Sequence, residues 1–141
     1  PPMLRLAADR HLGVHPYFVP VEHTALAREV LGSGLLVAPE QAFVLDADAA
    51  SAREMARAHM RYYLGLPNYR KSLEHLGWST RDLDGPSDAL VDAIVAWGDE
   101  DAVRARVRAH LDAGADHVCL QAIGPEPLDD LLRVGAGLSG V

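Results

Sequence analysis

Two short apolar runs constrain this chain more than any other feature. They are Gln41-Ala42-Phe43-Val44-Leu45 and His117-Val118-Cys119-Leu120-Gln121-Ala122-Ile123. A strand with one wet face alternates apolar and polar residues. A continuous run of this length reads instead as a strand covered on both faces. Such strands need helices on each side, and parallel pairing through helical crossovers supplies them. A third run, Val14-His15-Pro16-Tyr17-Phe18-Val19, is β-branched and aromatic and is expected as a strand. Its Pro16 argues against a regular ladder partner at that point.

Helical periodicity fills the intervals. Residues 2–12 carry Leu4, Ala7 and Ala8 on one face. Residues 22–31 follow with Ala25, Leu26, Glu29 and Val30, ended by Gly32-Ser33-Gly34. A long stretch opens near Ala49, after Asp46 and Asp48, and runs to Leu64. Acidic residues suit a helix entry, and Gly65-Leu66-Pro67 breaks the pattern. Two further helices are expected over 68–77 and 87–96, with Asp82–Ser87 as a loop between them. Trp97-Gly98-Asp99 reads as a turn, with Asp99 capping a helix that carries Val103, Val107 and Leu111 and stops at Gly114. A last helix spans 127–138 with Leu128, Leu131, Leu132 and Leu138.

The expected order is α-β-α-β-α-α-α-α-β-α, one domain over residues 1–141, with right-handed crossovers between parallel strands. Three strands alone would leave apolar edges unpaired. A complete (β/α)8 barrel needs about 250 residues. The expected fold class is therefore α/β, a partial TIM (β/α)8 barrel comprising about half of the whole. The opening Pro1-Pro2, where a reading frame starts on Met, is expected from removal of an initiator Met or from truncation of a longer chain.

Composition narrows the function classes. The chain of 141 residues has a net charge of −7, which argues against a nucleic-acid partner. Arg104, Arg106 and Arg108 alternate with small and apolar residues and read as a solvated helix face. The single cysteine, Cys119, excludes an intrachain disulfide, fits a reducing cytoplasm, and reads as core. No apolar run approaches the ~18 residues of a membrane span, and no membrane partner is expected. No signal-peptide pattern is visible. His11, His15 and His23 fit no ligand spacing, so no metal site is expected.

Several stretches resemble one family. They are Met3-Leu4-Arg5-Leu6-Ala7-Ala8, His15-Pro16-Tyr17-Phe18-Val19-Pro20-Val21-Glu22-His23-Thr24, Ala38-Pro39-Glu40-Gln41, Leu66-Pro67-Asn68-Tyr69-Arg70, Trp97-Gly98-Asp99-Glu100-Asp101-Ala102-Val103 and Ala113-Gly114-Ala115-Asp116-His117-Val118. In this order they are similar to the C-terminal half of luciferase-like flavin and deazaflavin oxidoreductases, and within them to the branch using coenzyme F420. The resemblance implies hydride transfer between the deazaflavin and a small organic substrate. The protein orients the substrate and excludes water, and no protein nucleophile is required. No serine elbow, Cys-His signature or Walker loop is present. In the family a segment ending Gly-Pro-x-Met lies against the cofactor, and Pro1-Pro2-Met3 matches its tail. Pro1 and Met3 are thereby implied as cofactor contacts. Arg10-His11-Leu12-Gly13 departs from the family's usual Ala-Asp-Gly, which bears on local packing.

Candidate substrate-pocket residues are His15, Tyr17 and His23, at or just after a strand's C-terminal end, where barrel active sites are built. Tyr69 joins them from the cluster Tyr62-Tyr63…Asn68-Tyr69-Arg70, in a long insertion of the kind that covers barrel sites or packs as plain helix. Gln121 ends the last strand and is expected to face the barrel mouth. Arg70 and Lys71 read as solvated, with attraction of a polyanionic cofactor tail as the alternative. Asp46 reads as a cap, and Glu40 has the weakest case for a site role. Catalytic residues are not assigned. Two other readings stand beside the deazaflavin one. The first is an FMN-dependent monooxygenase of the same fold. The second is a non-catalytic half-barrel that dimerises through its open edges, either as a homo-oligomer or with a missing N-terminal half as partner.

Overall fold

The computed structural model describes residues 2–138. Its elements are α1 (Pro2–Asp9), α2 (Val21–Leu31), β1 (Glu40–Val44), α3 (Ala49–Leu64), α4 (Pro67–His75), α5 (Thr80–Asp84), α6 (Asp88–Ile94), β2 (Val95–Trp97), α7 (Glu100–Asp112), β3 (Cys119–Ala122) and α8 (Pro127–Gly135). The sheet has three parallel strands in the order β2-β1-β3. Ala42 pairs with Val95 on one side and with Gln121 on the other. The α/β class with helical crossovers is as expected, and β1 is buried at every residue.

Two expected assignments around the sheet are corrected. The run 14–19 is not a full strand. It forms a short parallel ladder beside the segment leading into β1, through Val14 N–H to Leu36 O at 2.7 Å, Ala38 N–H to Val14 O at 3.0 Å and Glu40 N–H to Pro16 O at 2.8 Å. Pro16 accepts there but has no N–H to extend the pairing. Phe18, at φ 58°, then turns the chain away. Farther along, the same edge of β1 is taken by β2, where Gly98 N–H donates to Val44 O. The sequence placed Val95–Trp97 at the end of a helix and in a turn. Three residues are too few to display a period of two.

The two faces of β1 pack differently. Ala42 and Val44, with Val95 of β2, lie under α3 and α6 among Ala52, Ala56, Leu90 and Ile94. Phe43 and Ala96 face the opposite way, against Val103 of α7 and Val134 of α8. Right-handed crossovers account for this. The β1-to-β2 connection and the β2-to-β3 connection run in opposite directions across the sheet, so their helices cover opposite faces.

Local chemistry sets the helix ends. Asp48 accepts from Ser51 N–H at 2.8 Å to start α3, and Asp99 accepts from Ala102 N–H at 2.9 Å to start α7. The expected loop 82–87 overlaps α5, where Ser79 and Asp82 form a reciprocal capping box. β3 is half-buried throughout, not fully covered as expected. It is an edge strand among the described residues, and Cys119 on it is half-buried, not core. Arg106 is also corrected. It turns inward from α7 and donates to Asp92 O at 2.5 Å and Ala93 O at 2.9 Å, while Arg108 stays exposed.

Candidate active site

The short ladder at 14–16 and the reversal at Phe18 place Tyr17 over the first half of β1. Glu40, at the head of β1, lies on the same face as Ala42 and Val44. Its Oε2 accepts from Phe18 N–H at 3.3 Å. This bond ties the turn to the strand and holds Tyr17 in place. The Tyr17 hydroxyl donates to Gln121 Oε1 at 2.6 Å and lies 2.9 Å from the Tyr63 hydroxyl. Since its one proton goes to Gln121, Tyr63 is the donor in the second bond.

Aromatic rings close around this centre. Tyr63 of α3 stacks on Phe18 at 5.0 Å and meets Tyr69 of α4 edge-on at 5.3 Å. Tyr17 and Tyr69 are T-shaped at 6.4 Å. His15 lies 6.5 Å from the Tyr17 ring, and its Nδ1 is 2.6 Å from Ala38 O. A carbonyl only accepts, so that ring nitrogen carries a proton.

Burial dominates the electrostatics. Glu40 is 6% exposed, and burial raises its carboxyl to about 7, opposed by the Phe18 N–H bond and the nearby His15. Its Oε1 is sealed and has no hydrogen-bond partner among the described residues. Burial, then the Tyr63 bond, then the Glu40 charge push Tyr17 above the ordinary phenol range. Tyr69 is raised for similar reasons, burial first. These phenols are fixed neutral hydrogen-bonding groups at neutral pH.

Four residues singled out from the sequence therefore come together: His15, Tyr17, Tyr69 and Gln121. His23 does not join them by hydrogen bond or ring contact. It is buried in the first turn of α2, where burial lowers its pKa, and its Nδ1 has no partner among the described residues. Met3 is 73% exposed on α1, and Pro1 lies outside the described residues. Arg70 is paired with Asp84 at 2.6 Å and with Glu74 at 3.5 Å, which leaves it little charge to offer a polyanion. Lys71 is exposed. Among the described residues no cluster of His, Cys, Asp or Glu could hold a metal ion, and no helix is long and apolar enough to cross a membrane.

Two members escaped the sequence reading. Glu40 precedes an apolar run and looks like a solvated lead-in. Strand alternation assigns it to the face of Ala42 and Val44, but how that face is covered depends on α3 and α6. Tyr63 sat beside Tyr62 with nothing to separate them; Tyr62 is 70% exposed and Tyr63 turns inward.

A second polar group lies on the opposite face. His110 of α7 bonds Gln41 Oε1 through Nε2 at 2.9 Å and Thr24 Oγ1 through Nδ1 at 2.8 Å. Gln41 uses its own amide hydrogens on Ala42 O and Ile94 O. It therefore accepts from His110 Nε2–H, and Nδ1 accepts from Thr24. Every polar atom of His110 is used, so it joins α2, α7 and β1 and offers nothing to a ligand.

What the aromatic site can do follows from its parts. Neutral donors and acceptors around an enclosed acid suit a ring amide or a substrate oxygen. They do not suit a polyanionic tail, which needs cations. The site's residues thus fit the ring and substrate end of a deazaflavin-type cofactor.

No protein-family model matches the sequence, and no curated protein matches it. Solved structures do match. One is the coenzyme F420-dependent tetrahydromethanopterin reductase from Methanopyrus kandleri, with a TM-score of 0.67 and 19% identity over 94% of this chain and 45% of that one. Another is an F420-dependent secondary alcohol dehydrogenase in complex with an F420-acetone adduct, with a TM-score of 0.64 and 13% identity over 93% of this chain and 44% of that one. This chain spans less than half the length of either, and its α/β fold resembles part of their TIM-barrel-like fold.

Proposed function

We propose that this chain is the C-terminal half of a luciferase-like oxidoreductase that uses coenzyme F420 to transfer a hydride to or from a small organic substrate. The observation that carries the reading is the fold match to two F420-dependent enzymes over nearly all of this chain. The resemblance of the sequence motifs supports it independently. When bound, the deazaflavin would supply the hydride chemistry. Tyr17 and Gln121 would orient a ring or substrate oxygen, and Phe18, Tyr63 and Tyr69 would exclude water. His15 and His23 are further pocket candidates on this reading, and Met3 a candidate cofactor contact.

The remaining barrel units, or a second copy of this chain, would cover the open edge of β3 and complete the site. Half of the barrel is inactive alone on this reading. The free Cys119 suits a cytoplasmic setting.

Titrating the full-length protein with F420, and separately with FMN, tests the cofactor by its fluorescence change. Saturable binding of F420 in preference to FMN is expected. Preference for FMN would replace the deazaflavin reading with a flavin monooxygenase. Binding of neither would overturn both and favour the structural half-barrel.

A further inference from the structure

We propose that Glu40 is the acid of this site, giving a proton from Oε1 to, and recovering it from, the oxygen of an uncharged carbonyl or alcohol substrate. The proposal rests on the oxidoreductase reading above and adds to it one named group and a substrate class.

The geometry identifies the oxygen that holds the proton. Oε2 is committed as acceptor to Phe18 N–H. Oε1 has no partner among the described residues, although the side chain is more than nine-tenths buried. A carboxyl in such surroundings keeps its proton, and its elevation to about 7 agrees. The proton then sits on Oε1, a donor with no acceptor. What Oε1 lacks is a lone pair on a ligand, reached directly or through one water. Native structures rarely leave such a group unmatched without a functional reason.

Charge sets the substrate class. Around Glu40 stand His15 and Tyr17 from the preceding turn, Tyr69 from α4, and Cys119, its Cα partner on β3. Of these only His15 supplies a charge that acts on Glu40, and no Lys or Arg is among the groups that shift Glu40, Tyr17 or Tyr69. A carboxylate or phosphate here would be a buried charge with no Lys or Arg acting on the site. A neutral carbonyl or hydroxyl oxygen would meet a proton donor and a ring of phenols.

The chemistry balances. In the reducing direction the carbonyl carbon gains a hydride, and with it two electrons, from the reduced deazaflavin, which is oxidised. The C=O π pair moves to oxygen, the Oε1–H bond breaks, and a new O–H bond forms. Glu40 is left as carboxylate and recovers a proton from solvent when the alcohol leaves. Oxidation of an alcohol reverses each step.

The test uses the full-length protein with its glutamate carboxyl carbons labelled with carbon-13. One resonance, absent from Glu40→Gln, is expected to titrate near pH 7. It is expected to shift with cyclohexanone and not with cyclohexanecarboxylate. A Glu40 resonance that ignores both probes marks a buried structural acid and overturns the proposal. An equal response to the carboxylate overturns the substrate class. With F420 bound, Glu40→Gln is expected to lower kcat for ketone reduction about 100-fold and to remove the pH limb near neutrality. A loss below about tenfold would overturn the acid role. Glu40→Gln still offers an oxygen to Phe18 N–H. Should it fail to fold, Glu40→Asp, which keeps the acid but shortens it, is expected to show the same direction of loss. Failure of the wild-type protein to bind F420 sinks the cofactor reading alone, because the ketone-dependent shift is measured without cofactor.

Discussion

Glu40 and His110 sit on opposite faces of the same strand region and pull stability in opposite directions with pH. The folded chain keeps a proton on Glu40 between its ordinary value of 4.5 and about 7, where the unfolded chain has released it. Stability is therefore lost as pH rises through that window, by about 3 kcal/mol above it. Glu40→Gln should remove this loss. Urea unfolding is expected to show the variant more stable than wild type at about pH 8 and nearly equal at about pH 4. His110 is held neutral, with burial first and Arg106 second lowering it to about 4 from 6.5. Between those values the unfolded chain binds a proton that the folded chain refuses. Stability should fall as pH drops through that window, by about 3 kcal/mol below it. His110→Gln should flatten this acid limb, as read from denaturation midpoints at several pH values. Of these residues Tyr17, Gln121, Tyr69 and His15 were legible as site candidates, since strand ends and insertion aromatics stand out in the sequence. Glu40 was not, because its burial depends on residues distant in sequence, among them Phe18 and Tyr69.

At the scale of elements, polar side chains fasten what apolar packing brings near. Arg28 of α2 donates to Gly114 O at 2.8 Å and Leu35 O at 2.9 Å, and pairs with Asp116 at 2.5 Å. Gly114 ends the α7 region at φ 100°, and a Cβ there would lie 2.7 Å from Arg28 Cγ. Gly114→Ala therefore meets both backbone strain and displacement of Arg28. A loss of about 2–3 kcal/mol in denaturant unfolding is expected. On the other face, Arg53 of α3 grips Asp92 of α6 at 2.6 and 2.9 Å, and Trp97 of β2 donates to the same carboxylate at 2.7 Å. Asp92 is held below the usual carboxylate range, Arg53 being the main cause. Asp92→Ala should cost about 1–2 kcal/mol, discounted because the carboxylate is partly exposed, and the loss should appear as a lower Tm. The sequence marked the helices well, since α3 falls at the expected 49–64 and the Asp99 cap is where the pattern put it. The failures were short pieces, β2, α5 and the truncated 14–16 ladder, whose conformation neighbours impose.

For the molecule as a whole, some exposed apolar residues lie near one another on a helix. Leu128 and Leu132 stand one turn apart on α8, which packs on the edge strand β3, and Met3 and Leu6 are exposed on α1. Patches beside an open strand edge invite association. The 141-residue chain alone is expected to self-associate in sedimentation velocity. The pair Leu128→Glu and Leu132→Glu should shift it toward monomer with little change in far-UV circular dichroism. Monomer behaviour of the unmutated chain would count against an interface on α8. The same arrangement agrees with a chain spanning less than half of the solved F420 enzymes it matches.

Local sequence sufficed for the α/β class, for the buried strand β1, for the position though not the burial of β3, and for most helix boundaries. These depend on residue periodicity, capping and glycine breaks, all local. It also determined the unlike chemistry of Tyr17, Tyr69 and Gln121. Tertiary structure alone decided that β1 lies between β2 and β3, and that its edge is shared first by 14–16 and then by β2. It alone turned Tyr63 inward and buried Glu40. A carboxylate's character depends on what surrounds it in space. For Glu40 that surrounding comes from the 15–18 turn, Tyr69 and β3, on three separate stretches of the chain.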